Sequence, residues 1–250
     1  MDKNSQKMCR AVLLCATAVL CTSLLCIAVT RYKSTVTGSG ITATGSASLD
    51  FESDLIVWRG RFRVEADSLE ESYRKLSSAS GRVKQYLEDE EIREDEMQFG
   101  SVQIERKSIP VYDEFGNLME YRDGGYHLTQ SFVVSSEELD KVADVSRNSS
   151  ELIASGVELE SDSPRYYCTR LDEIKMELIE AASANARERI ERMAGQAGAR
   201  RGKLATASLG VFQITALHSG TGDYGATGTL DTASRYKTAM ITVRLNYGIH

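Results

Sequence analysis

The chain reads as an α+β protein: a mainly antiparallel sheet with helices packed on one face, preceded by an N-terminal transmembrane helix. Three observations predict this. Residues 54–64 alternate between apolar and polar with a period of two. Three later stretches, opening near residues 68, 135 and 169, carry helical apolar stripes behind capping signals. Residues 11–29 form one uncharged run, AVLLCATAVLCTSLLCIAV.

That run divides the chain into a tail over residues 1–10, an anchor over 11–29 and one exported domain over 33–250. A bilayer core takes about 17–25 apolar residues in a helix, whereas a cleavable signal core takes about 7–15. Lys3, Lys7 and Arg10 precede the run and Arg31 and Lys33 follow it, which predicts a cytoplasmic N-terminus. Four of the five cysteines, Cys9, Cys15, Cys21 and Cys26, lie in or beside the run. Cys168 alone is exported, so the domain forms no internal disulfide. Leu14, Leu20 and Leu25 precede three of the membrane cysteines, where lipoprotein processing needs a small residue.

In the domain, residues 35–47 read as a strand of small side chains. In the next strand Ile56, Trp58, Phe62 and Val64 share one face, and Arg59, Arg61 and Arg63 share the other. Ser68-Leu69-Glu70-Glu71 is a capping box. It opens a helix whose stripe is Leu69, Tyr73, Leu76, Val83 and Leu87. Strands near 97–106 and 126–134 form a hairpin with a long loop between them. Ser135-Ser136-Glu137-Glu138 predicts a second helix, ending near Gly156. Residues 157–168 are extended. The longest helix then carries the stripe Leu171, Ile174, Leu178, Ala182, Ala186, Ile190, Met193 and Ala197, with Gly198 as its stop. Strands over 204–215 and 236–247 flank a Gly/Thr/Ser loop.

Composition narrows function by exclusion. A net charge of −6 leaves no nucleic-acid footprint. His127, His218 and His250 have no metal-ligand spacing to each other or to a cysteine, and Cys168 has no histidine near it in sequence. Gly38, Gly40 and Ala43 imitate a dinucleotide fingerprint but lie in a strand, and the acidic run Glu88–Glu96 lacks the glycine and spacing of a calcium loop. No catalytic, cofactor or metal site is expected.

The ordered motifs resemble the SIMPL-domain family, found mostly in bacterial envelope proteins. Val36-Thr37-Gly38-Ser39-Gly40 resembles its opening strand, and Asp54 the acid that opens its second. Pro110-Val111-Tyr112 with Gly125-Tyr126 is similar to its loop and return strand; Ala184-Asn185-Ala186-Arg187, Met193-Ala194 and Gly198 are similar to its long helix. The likeness spans residues 33–247. The chain departs from the pattern at Glu91-Ile92, where acids crowd the turn, and over 219–234. The resemblance implies an α+β fold, an envelope location and, in some members, ring- or channel-like homo-oligomers; it implies no established biochemical activity.

The expectation is therefore a non-enzymatic, self-associating protein, anchored in the inner membrane with its domain in the periplasm, or released there if the leader is cleaved. Its partners are the membrane and further copies of itself. Arg59, Arg61 and Arg63, joined by Arg244 from the last strand, are the candidate interface, with Glu105 as a local acid; the alternative is a solvated strand face. A small-molecule or peptide-binding module using a groove beside residues 109–125 is the second reading, and an unrecognised hydrolase the third.

Overall fold

The computed structural model describes residues 17, 19–28, 40–219 and 228–249. Among them no helix is long and apolar enough to cross a membrane. The expected anchor falls largely outside these residues; its part over 19–28 is helical and exposed.

The described residues fall into two compact units, one drawn from residues 48–178 and 211–240, the other from residues 1–47, 179–210 and 241–250. In the first, strands β2 (Leu55–Ala66), β3 (Met97–Phe99), β4 (Gln103–Tyr112), β5 (Leu118–Ser136), β6 (Glu158–Ser161) and β7 (Arg165–Tyr167) form one sheet. Its order is β3-β5-β2-β6, with β4 on β5 and β7 on β2, and all its pairs are antiparallel. Helices α1 (Leu69–Asp89), α2 (Leu139–Asn148) and α3 (Ser150–Ala154) belong to the same unit. The alternation of β2 works as expected: Ile56, Trp58 and Phe62 are fully buried with Leu128, Phe132 and Val134 of β5 and Leu76, Val83 and Leu87 of α1.

The remaining elements are β1 (Gly40–Glu52), the long helix α4 (Leu171–Gln196), β8 (Arg201–Leu209), β9 (Gln213–Ala216) and β10 (Tyr236–Ile249). The strands form a second sheet of order β1-β10-β8, with β9 also on β10. In the smaller unit α4 lies very close to β1. A Cβ on Gly45 would collide with the Ala182 carbonyl and the Ala186 amide, and would lie 2.8 Å from the Ala186 Cβ. Only glycine opposite alanine permits that distance. Ala182 and Ala186 are fully buried, as the small-residue stripe predicts.

Several expectations need correction. The sheet is antiparallel but divided into two. The buried stripe of α1 is Ser72, Leu76, Ala79, Val83 and Leu87, while Leu69 and Tyr73 are exposed. The Ser72 hydroxyl donates to the Tyr126 carbonyl of β5 at 3.2 Å, which turns that residue inward. The cap at Ser68 does form, accepting from the Glu71 amide. The second capping box does not, because β5 runs on through Ser136. The Ser136 hydroxyl instead accepts from the Glu138 amide at 3.0 Å and donates to buried Glu96 at 2.6 Å. The α4 stripe follows Ile174, Leu178, Ala182, Ala186, Ile190 and Ala194, leaving Met193 and Ala197 exposed. A strict four-residue repeat drifts by about 40° per step, so this stripe winds around the helix.

Candidate functional site

The largest departure from the sequence reading is the hairpin. The expected loop is strand: β4 continues to Tyr112 and β5 begins at Leu118, with only residues 113–117 turning. Pro110 is tolerated because β4 is an edge strand, pairing among the described residues with β5 alone. Every residue of β4 except Val111, and residues 118–123 of β5, is exposed, so neither face of this outer ribbon is covered.

Asp113 builds the turn. Its carboxylate accepts from the Phe115 amide at 2.9 Å, the Asn117 amide at 2.8 Å and the Asn117 side chain at 3.0 Å. These bonds, led by Asn117, hold the carboxyl below its usual range and keep it ionised. Gly116 takes φ of +83°, which completes the turn without strain. The result presents Phe115, 89% exposed, at the tip, with Tyr112, Leu118, Met119 and Tyr121 also exposed behind it. A two-stranded ribbon is marginal in water by itself. One that displays five large apolar side chains has the character of a contact surface.

The arginines lie at the base of this hairpin, on the sheet face opposite the buried core. The β2–β6 register sets Arg61 against Glu160 and Arg63 against Glu158. Each pair is hydrogen-bonded at 2.6 Å, and Arg63 also meets Glu160 at 3.0 Å. Glu158 raises the Arg63 guanidinium further and Arg61 lowers the Glu160 carboxyl. The compensating acids are thus on β6; Glu105, the acid expected to help, makes no ion pair among the described residues and sits across from His127. Arg59 is exposed and has no ion pair among the described residues. Arg244 is exposed on β10, in the other sheet, so it does not join this set. His127 contacts Glu65 at 2.9 Å, and Lys107 reaches the same carboxylate at 3.1 Å. Lys107 first and His127 second hold Glu65 below its usual range.

A cleft of about 770 Å³ in the larger unit escaped the sequence reading. It is lined by Glu52, Asp54, Asp140, Lys141, Thr169 and Arg235, among others. Glu52, Asp140 and Arg235 are committed to one another, and Glu138 to Lys141. Arg235 bonds Asp140 and also Glu52, the latter at 2.6 Å, and Asp140 first and Glu52 second raise its guanidinium further. Asp54 accepts from the Thr169 amide at 2.7 Å and its hydroxyl at 2.9 Å, just ahead of α4. Asp54 thus ties the start of β2 to the start of α4. Cys168 lies beside it, 3.8 Å from the carboxylate, and burial pushes its thiol up, away from the nucleophilic thiolate. No sequence spacing links Asp54, Asp140 and Arg235, because the cleft is assembled from four distant segments.

His218 is exposed in a turn at φ +64°; His250 is outside the described residues. Among the described residues no three His, Cys, Asp or Glu side chains are grouped to hold a metal ion.

A family profile described as "SIMPL: Protein of unknown function (DUF541)" matches residues 41–243. No curated protein matches the chain.

Proposed function

The chain belongs to the SIMPL family, and from that premise we propose that it is a non-enzymatic envelope protein, held to the inner membrane by residues 11–29, whose periplasmic part self-associates. The observation that carries the reading is the exposed β4–β5 arm with its apolar tip. Burying a large apolar side chain contributes about 1.5–3 kcal/mol. Five of them contribute about 8–15 kcal/mol, the same order as an association cost of about 4–15 kcal/mol. The length of the uncharged run and the exposed helical residues 19–28 support the anchor.

Arg59 adds a polar contact to the same reading. Its two neighbours are satisfied within the chain, and it is left to meet an acid of another copy. The second reading, a ligand-binding module, draws on the 770 Å³ cleft, but its arginine, Arg235, is already paired with Glu52 and Asp140.

The test is the mass of the full chain in mild detergent, by light scattering corrected for bound detergent. The expected result is a discrete assembly. Replacing Tyr112, Phe115, Met119 and Tyr121 together with serine is expected to yield folded monomers. A monomeric parent, or a quadruple variant of parental mass, would remove the arm from this role.

A further inference from the structure

We infer that the tip of the arm in one copy docks along the β8 edge of a second copy, so that assembly is head-to-tail; this rests on the self-association reading above. The tip, residues 112–121, carries Asp113, Glu114 and Glu120 and no basic residue. Residues 200–211, which contain β8, carry Arg200, Arg201 and Lys203 and no acid. Both segments are exposed and both display apolar side chains: Tyr112, Phe115, Leu118, Met119 and Tyr121 on one, Leu204, Leu209 and Val211 on the other.

The edge is open in two senses. β8 pairs only with β10, so among the described residues no strand occupies its other side. Apart from Gly202 every residue of β8 is exposed, so neither of its faces is covered. An exposed, apolar edge strand is a liability that proteins usually blunt or cover. Here the charges on it are basic, which excludes other basic edges and admits an acidic strand or hairpin. Arg201 is partly spent on Glu191 at 3.0 Å, leaving Arg200 and Lys203 as the unpaired bases among the described residues. On the tip, Glu120 bonds Arg122, and Glu114 is the acid without an ion pair among the described residues.

Both halves of this match are present on the same chain, and that is why the occupant is a second copy. Each copy offers one acidic tip and one basic edge. The contact is therefore heterologous, and repeating it closes a ring or extends a filament.

The experiment uses two charge-reversed full-length chains. One is Glu114→Lys with Glu120→Lys; the other is Arg200→Glu with Lys203→Glu. All four positions are exposed, and circular dichroism checks that both variants fold. Each variant alone is expected to assemble roughly tenfold more weakly than the parent. Mixed in equal amounts they are expected to recover the parental mass, because each reversed tip now matches the other chain's reversed edge. Parental assembly by either variant alone, or a mixture that stays dissociated, overturns the docking and leaves self-association standing. A monomeric parent overturns self-association itself, and the docking with it.

Discussion

The two units bury different things. The larger fills its interior with Trp58, Phe62, Phe132, Leu76, Leu87 and Leu128, all fully buried, and sets Trp58 and Phe132 edge to face at 5.1 Å. The smaller brings backbones together over Gly45, Ala182 and Ala186, with Ala43 and Ala194 also buried. Volume holds the first; in the second, which also buries Ile190, Ile241 and Val243, the helix–strand contact itself depends on the absence of volume. The aromatic core and the glycine–alanine contact should therefore break under opposite substitutions, large-to-small in one and small-to-large in the other.

The largest effect is expected in the aromatic core. Phe132→Ala removes a ring packed on Trp58, Phe99 and Gly60. It should cost about 3–5 kcal/mol in denaturant melts. A loss under 1 kcal/mol would mean that the core collapses around the gap. Next come Gly45→Ala and Ala186→Leu, each expected to cost about 1–3 kcal/mol. The added carbon at Gly45 meets helix backbone, which has no rotamer to escape into. An unchanged melt for either variant would show that α4 yields easily.

A smaller effect tests the tie between β2 and α4. Asp54→Ala removes the acceptor for the Thr169 amide and hydroxyl. A loss of about 0.5–2 kcal/mol is expected, the range of a lost helix cap. Asp54→Asn should retain part of it. Equal losses in the two variants would point to charge, including the 3.6 Å contact with Arg170, as the important feature.

The smallest effects are electrostatic, on exposed groups of the larger unit. Glu65, Asp123, Glu138, Asp140 and Glu160 all have folded-state carboxyls held below their ordinary values of 4.5 or 3.8 by basic partners. Depressed carboxyls add stability above the unfolded value and lose it as pH falls through the folded one. Melting midpoints should therefore be level near neutrality and decline as pH drops below 4.5. Glu160→Gln should make that decline shallower. An unaltered slope would mean that the Arg61 and Arg63 pairs are too well solvated to matter.

The contrast between the units was half legible in the sequence. Period-two alternation identified the inward face of β2, because a strand offers only two sides. The alanines of α4 announced a close helix–strand contact, yet nothing marked Gly45 as the residue opposite, since 137 positions separate Gly45 from Ala182. The hairpin was found but shortened. Pro110, Gly116, Gly124 and Gly125 are turn signals locally, and it was pairing with β5 that made strand of the residues around Pro110. Alternation places the arginine face on β2, but it cannot show that the compensating acids lie on β6, because the β2–β6 register sets that pairing.

What the sequence determined by itself was periodic and local: the α+β class, the core face of β2, the Ser68 cap and the small-residue stripe of α4. Those follow from dihedral geometry and side-chain size, which neighbours in the chain settle among themselves. The tertiary structure alone decided which acids satisfy Arg61 and Arg63, how Glu52, Asp140 and Arg235 meet, and that the arm's tip and the β8 edge are left uncovered. Those ion pairs join residues 95 to 183 positions apart, and they exist only once the distant segments pack together.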